Sequence, residues 1–197
     1  MLSAEEKQTR FTQFYLIAHP IRANVIPPDN GVDIAQQSMH TFESNMPYAF
    51  KIAGEMAEVQ SQSLKPLRGL GEKLTDLVDY LQFQAKKIDL MMSYILQQQD
   101  QEQYRENAIK FGGGGVVIEH KQAVEIGQTR IIKLFLESES AAIYCYAEAI
   151  EQTQVDDSYH VNYVYTHIRE ADQELLVRAS LHLQTVTLRQ QHSNAPK

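Results

Sequence analysis

The chain has 197 residues, of which 43% are apolar, 22% charged and 9% aromatic, a balance that supports one globular domain plus an elongated accessory element and excludes a disordered tail. Eighteen Lys and Arg against 25 Asp and Glu give a formal net charge of -7, so a surface-wide attraction for nucleic acid is not expected. The single cysteine, Cys145, excludes an internal disulfide framework and a Cys-rich zinc site, and reads as a small buried thiol in a reducing compartment. The first ten residues, MLSAEEKQTR, are polar. No apolar run approaches the roughly 18 residues that a bilayer span needs, so the expectation is a cytoplasmic protein with no membrane span.

In chain order, FTQFYLIAHPIRANVI at 11–26 is rich in β-branched and aromatic residues and stops at Pro27-Pro28 and the turn signal Asp29-Asn30-Gly31, which predicts one strand, or two short ones bent at Pro20. From Val32 to Tyr104 the composition shifts to Gln, Met, Leu, Ala, Glu and Lys without strand-like alternation, and predicts helix. Pro47 suits a helix start, and Met46, Ala49, Phe50, Ala53, Ala57 and Leu64 trace an apolar stripe broken by Gln60. A second helix starts near Ser63 and Pro66. Four further strands are predicted at Gly115–Glu119, Arg130–Leu136, Ile143–Ile150 and Tyr159–Ile168, with turns at Gly127 and over Gln152–Ser158. A last helix, N-capped by Asp172, places Leu175, Leu176, Ala179, Leu183 and Val186 on one face.

The dominant signal lies in the second helix. Leu67, Leu70, Leu74, Leu77, Leu81, Gln84, Ile88, Met91 and Ile95 recur at alternating steps of three and four, the 3.5-residue period of a coiled-coil seam. A helix from Leu67 to Ile95 extends roughly 42 Å at about 1.5 Å per residue, too far to be buried by a domain of this size. Copies of the chain are therefore expected to cover it. With Leu67 as position a, the e positions Val78, Ala85 and Met92 and the g positions Lys73, Tyr80, Lys87 and Tyr94 widen the seam beyond what a dimer hides, which favours a trimer or tetramer. Gln84 reads either as a register-fixing polar layer or as a tolerated defect. The competing arrangement is a hairpin packed within one chain against Met46 to Leu64. Strand-like sequence on both sides makes the helices an out-and-back insertion.

Candidate chemistry is sparse. Gly112-Gly113-Gly114-Gly115 is followed by a strand rather than by Lys-Ser or Lys-Thr and a helix, so it reads as a turn and not a phosphate cradle. The seven histidines, among them His160 and His167, lack metal-ligand spacing. Glu137, Ser138, Glu139 and Ser140 read as a solvated loop. Tyr144, Tyr146, Tyr159, Tyr163 and Tyr165 are either strand core or a binding surface. No nucleophile is matched with a base, so no enzymatic activity, catalytic residue, metal or cofactor is expected.

The stretch KFGGGGVVIEHKQAVEIGQTRIIKLFL, followed by AAIYCYAEAI, YHVNYVYTHI and READQELLVRASLHLQTVTLRQQ, resembles a PilZ domain, the small β-barrel associated with cyclic di-GMP. The inserted heptad helices resemble the atypical, tetramer-forming branch of that family. The resemblance implies an α+β fold: a PilZ-like antiparallel β-barrel with a long two-helix insertion forming an intermolecular coiled coil, plus a C-terminal helix. It assigns 11–31 to the barrel's N-terminal strand region, 32–104 to the oligomerisation region and 107–191 to the barrel and last helix. It further implies a homo-oligomer, a tetramer, acting in pilus, motility or virulence regulation through an unidentified protein partner, with no nucleic acid. The family's D/NxSxxG motif falls on Lys110, Gly112 and Gly115, of which only Gly115 matches, and RxxxR occurs nowhere, Arg10, Arg22 and Arg105 being isolated along the chain. Cyclic di-GMP binding is therefore not expected, because neutral residues cannot replace bidentate arginine contacts to phosphate. The alternative is a cyclic di-GMP receptor using an unconventional site.

Overall fold

A computed structural model describes residues 3–29, 32–64 and 75–193. Helices α1 (Ala4–Thr12), α2 (Met39–Asn45), α3 (Tyr48–Leu64), α4 (Thr75–Gln97) and α5 (Glu170–Ser193) accompany strands β1 (Ile17–Ile26), β2 (Arg105–Phe111), β3 (Gly115–His120), β4 (Thr129–Leu136), β5 (Ala141–Val155) and β6 (Ser158–His167). The six strands form one closed, antiparallel barrel in the order β1-β2-β3-β6-β5-β4. Closure leaves no free sheet edge among them.

Alternation along the strands sorts side chains between the inside of the barrel and its outer surface. Ile143, Cys145, Ala147 and Ala149 of β5 point inward with Ile132, Leu134, Val161, Tyr163 and Tyr165, and α5 adds Leu176 and Ala179 to this interior core. Outward-facing Tyr144, Tyr146, Phe135 and Ala142 are instead covered by Phe42 of α2, Phe50 of α3 and Leu96 of α4. Phe42 packs edge-on to Tyr146 with ring centroids 4.8 Å apart and stacks on Tyr144 at 5.7 Å. The five candidate tyrosines thus divide between two cores rather than lining a surface: Tyr163 and Tyr165 inside, Tyr159 packed partly against the same interior, Tyr144 and Tyr146 beneath the helices.

Several sequence expectations need correction. Phe11 and Thr12 end a helix, not a strand: Ser3 and Glu6 form a reciprocal capping box that starts α1, a Ser-x-x-Glu signal present in the sequence. β1 is a single strand whose register shifts between Ala18 and Ile21, at Pro20, which lacks the N–H needed for the ladder. β2 is an additional strand that the sequence pattern does not mark, because its burial is confined largely to Ala108 and Phe111 in a charged segment. Asp172 is not an N-cap; it lies within the first turn of α5, where Arg169 donates to it at 2.7 and 3.0 Å. The β5–β6 turn is tight, at Asp156 with φ 50°, and β5 continues through Gln152 to Val155.

Candidate interaction surface

Helix α4 leaves the barrel from a fixed root. Its last turn buries Leu96 against the outer face of β4 and β5. Beyond it, the Lys133 ammonium donates to the Gln99 carbonyl at 2.9 Å, and the Asp100 carboxylate receives Arg22 at 3.1 Å, Arg105 at 2.9 Å and the Asn24 amide at 2.8 Å. Arg22 also reaches Glu137 at 2.7 Å. Burial by itself raises the Asp100 pKa, but the hydrogen bonds from Asn24 and Arg105, with the charges of Arg105 and Arg22, hold it below the ordinary carboxylate value. Burial lowers the pKa of Lys133, and the charge of Asp100 opposes that. Arg22 and Arg105, far apart in the sequence, are brought together by the β1–β2 register, which pairs Arg22 with Asn107 and Asn24 with Arg105.

From this root α4 runs for 23 residues, about 34 Å. Leu77, Leu81, Ile88, Met91 and Ile95, all seam positions, are 37% to 59% exposed. Gln84, the polar seam position, is partly buried. Leu67, Leu70 and Leu74 lie outside the described residues, as does the expected helix start at Pro66. The e positions Val78, Ala85 and Met92 are partly buried, so the arc they share with Leu96 is turned to the helix's own chain, where α4 rests on α3 and β5. They do not widen an outward seam. Two residues outside the predicted seam, Phe83 and Leu90, are exposed along with Tyr80 and Tyr94. Nine large apolar side chains are thus exposed along one helix, where a monomer surface ordinarily scatters them singly. Of the first helix's stripe, Met46 and Phe50 are buried and Ala49 and Ala53 partly buried against the barrel, so that end serves the fold.

The remaining candidates are structural. The four glycines form the tight β2–β3 connection, with the Gly112 amide donating to the Gly115 carbonyl at 3.1 Å. None of the four has positive φ. Their lack of side chains admits close neighbours: a Cβ would stand 2.4 Å from the Tyr15 carbonyl oxygen at Gly112, 2.4 Å from the Arg10 carbonyl oxygen at Gly114 and 2.5 Å from the Phe11 ring at Gly115. The tetrad is the seat of α1 and of the segment that follows it, not an anion cradle. Cys145 is buried in the barrel, and that burial raises its thiol pKa. Glu137–Glu139 form a short 3-10 turn ending at Ser140 with φ 51°. His160 is partly buried, and His167 pairs with the Gln37 carbonyl at 2.7 Å. Among the described residues no cluster of His, Cys, Asp and Glu could hold a metal ion, and no helix is long and apolar enough to cross a membrane. A cleft of about 640 Å³ is lined by Arg22, Arg105, Lys121, Glu106, Glu119 and His120, cations and anions interleaved.

A closed six-stranded antiparallel barrel, with helices inserted between β1 and β2 and another following β6, is a PilZ-like fold carrying a helical insertion. Among solved structures, the chain is similar over 92% of its length, and 97% of the other chain, to a pathogenic protein from Xanthomonas campestris, with 14% identity and a TM-score of 0.56. That protein is described as a tetrameric PilZ domain self-assembled through a helical bundle. A slighter likeness, with a TM-score of 0.39 and 16% identity, links 41% of this chain to 42% of the Bacillus subtilis inhibitor of motility MotI/DgrA. No protein-family model and no curated protein matches the chain.

Proposed function

We propose that the chain is a non-enzymatic, cytoplasmic signalling or adaptor protein that assembles into a homotetramer through α4 and presents several copies of its barrel to a protein partner. The observation that carries this reading is the exposed apolar face of α4 above a root fixed to the barrel by Leu96 and by the ion pairs of Asp100. A rigid root transmits the geometry of a bundle to the barrels. Multivalent display then raises apparent affinity without a tighter single contact. The shared fold with a protein described as a tetrameric PilZ domain supports the same reading.

Light scattering on the purified chain tests it. Wild type is expected at four times the chain mass, and Leu81→Asp/Ile88→Asp at a lower multiple, because a charge at a coiled-coil core position has no partner. An unchanged mass in the double variant removes the reading.

The PilZ-like barrel is, on this reading, degenerate as a nucleotide receptor. Lys110 and Gly112 stand where the resemblance would place an acid and a serine, and Gly112, Gly114 and Gly115 lie against Tyr15, Arg10 and Phe11. A cyclic di-GMP receptor with an unconventional site would find its cations in the cleft of Arg22, Arg105 and Lys121, but the two arginines are already held by Asp100. Calorimetric titration with cyclic di-GMP decides: micromolar binding would replace the degenerate reading, and no heat is the expected outcome.

A further inference from the structure

Helix α1 is attached to the barrel by two side chains. Of its nine residues only Phe11 is buried and only Lys7 partly so, the others being exposed. Phe11 lies against Val117 of β3 and Val164 of β6, with Ile109 and Ile150 partly buried around them, and the Lys7 ammonium donates to Glu148 of β5 at 2.6 Å. Neither the barrel interior nor the core beneath α2, α3 and α4 takes a residue from α1, whereas α5 gives Leu176 and Ala179 to the interior. Lifting α1 therefore leaves the six strands and both cores intact, and a helix of nine residues has little stability of its own once off its seat.

The seat is a groove built by strand register. Gly115 pairs with Val164, and Val164 in turn with Glu148, so a glycine, a valine and a glutamate stand side by side across β3, β6 and β5. Adjacent strands lie about 4.8 Å apart, and residues four apart on a helix are displaced about 6 Å along its axis, which lets Phe11 fill the apolar end of the row while Lys7 meets its acidic end. Glycine forms the floor, since Cβ atoms at Gly114 and Gly115 would strike the Arg10 carbonyl oxygen and the Phe11 ring. Neither glycine has positive φ, so their bare backbone serves the close approach of a helix rather than the turn. Vacated, the groove would present these aliphatic side chains beside a carboxylate whose one salt-bridge partner among the described residues is Lys7.

We propose that this groove is a docking site for a helix of a partner protein that carries a cation followed four residues later by an aromatic ring, and that α1 is its intramolecular stand-in, excluding the partner until displaced. α1 itself displays the ligand chemistry: a cation for Glu148, a ring for Val117 and Val164, and backbone that presses on the glycines and so demands no further sequence. A partner helix with the same two anchors competes on equal contacts, and the advantage of α1 is its tether, equivalent to an effective concentration of about 1 mM. The inference rests on the adaptor reading above for the existence of a partner and says where on the barrel that partner sits. Failure of the groove would leave the homotetramer standing, and a chain found monomeric in light scattering would leave the groove in place.

Fluorescence anisotropy on the full chain tests the groove with two labelled peptides: residues 3–16 of this chain, and an alanine-based helix bearing only a lysine and, four residues on, a phenylalanine. Phe11→Ala and the milder Lys7→Glu are the variants that release α1, with faster trypsin cleavage at Arg10 as the sign of release and circular dichroism as the control for folding. Both peptides are expected to bind the released chains at least about tenfold more tightly than wild type, whose groove is occupied. Glu148→Lys added to Phe11→Ala should abolish binding of the first peptide, and a Lys7→Glu form of that peptide should recover it. An α1 that stays resistant to trypsin in both variants overturns the displaceable strap. Equal affinity for wild-type and released chains, no binding to either at about 1 mM, or binding indifferent to Glu148→Lys overturns the groove. Binding of the first peptide alone overturns the partner helix and assigns the groove to α1 of a second copy.

Discussion

Asn24, fully buried on β1, accepts the Gln101 backbone amide at 2.8 Å on its side-chain oxygen while its side-chain amide donates to Asp100 at 2.8 Å. The same nitrogen lies 3.2 Å from the Gln101 carbonyl. A buried amide thus replaces the water that would otherwise satisfy the segment joining α4 to β2. The direction in which α4 leaves the barrel is set by polar contacts specific to one geometry, and Leu96 supplies the apolar part of the attachment.

Asn24→Ala removes these bonds and leaves the Gln101 amide and one oxygen of Asp100 short of a partner. The expected cost is about 3 kcal/mol, from unmade buried hydrogen bonds. Urea denaturation measured at a concentration where the assembly is intact should show the midpoint falling. A loss below about 0.5 kcal/mol, the level of an ordinary surface change, would mean that the root is not held as described.

His120 gives a pH dependence with a definite sign. Burial, reinforced by the charge of Arg130, lowers its pKa to about 4, and the ring sits 3.1 Å from the Tyr163 hydroxyl and 3.5 Å from Glu106. Below about pH 6.5 the unfolded chain takes up a proton that the folded chain refuses until about pH 4, so stability falls as pH drops across that window and levels off beneath it. At roughly 1.4 kcal/mol per pH unit the loss approaches 3 kcal/mol. Glu106, whose pKa is raised by burial, acts in the opposite sense only near and above the ordinary carboxylate range. His120→Gln keeps a polar partner for Tyr163 without the titration. Parallel stability curves for the two proteins between pH 6.5 and 4 would contradict the account.

What the sequence disclosed follows from which forces act locally. The strands β3 to β6 were legible because their apolar residues cluster, and the first seam because burial in a coiled coil imposes a period. Phe83 and Leu90 fall outside that period, at the c position that a single heptad seam leaves to solvent. Arg22 and Arg105 converge only through strand register, which no spacing along the chain encodes. The glycine tetrad shows the same limit. Its composition indicates permissive backbone, but whether that freedom serves a turn, a ligand or close packing depends on Phe11, Tyr15 and Val177 arriving from elsewhere.

Restoring side chains to that tetrad should displace α1. At Gly114 a Cβ would lie 2.4 Å from the Arg10 carbonyl oxygen, and at Gly115 it would lie 2.3 Å from the Tyr163 carbonyl oxygen. Backbone atoms cannot swing aside as a side chain can. Gly114→Ala and Gly115→Ala are each expected to cost about 1–3 kcal/mol, the range for overpacking. They should also expose Arg10, in α1, to trypsin sooner than in wild type. Unaltered melting and cleavage would show that α1 is not seated on the tetrad.

Gly54 and Arg169 provide a test in which the sign itself changes. The Arg169 guanidinium donates to Asp172 at 2.7 and 3.0 Å and to the Phe50 carbonyl at 3.1 Å, joining the start of α5 to α3. A Cβ at Gly54 would stand 2.6 Å from its Nη1. Burial raises the Asp172 pKa, and Arg169 is what opposes that rise. Alanine stabilises an exposed helix interior over glycine by about 1 kcal/mol, so Gly54→Ala would be favourable if propensity alone decided. With Arg169 present it should instead destabilise, because the added methyl group forces the guanidinium off its carboxylate. Arg169→Ala alone is expected to cost about 3–5 kcal/mol by leaving the buried carboxyl unpaired. In that background Gly54→Ala should become stabilising, since the space is vacant and only propensity remains. Denaturation of the four proteins of this cycle measures the coupling, and the same sign for Gly54→Ala in both backgrounds would show that Arg169 is not the reason for glycine at 54.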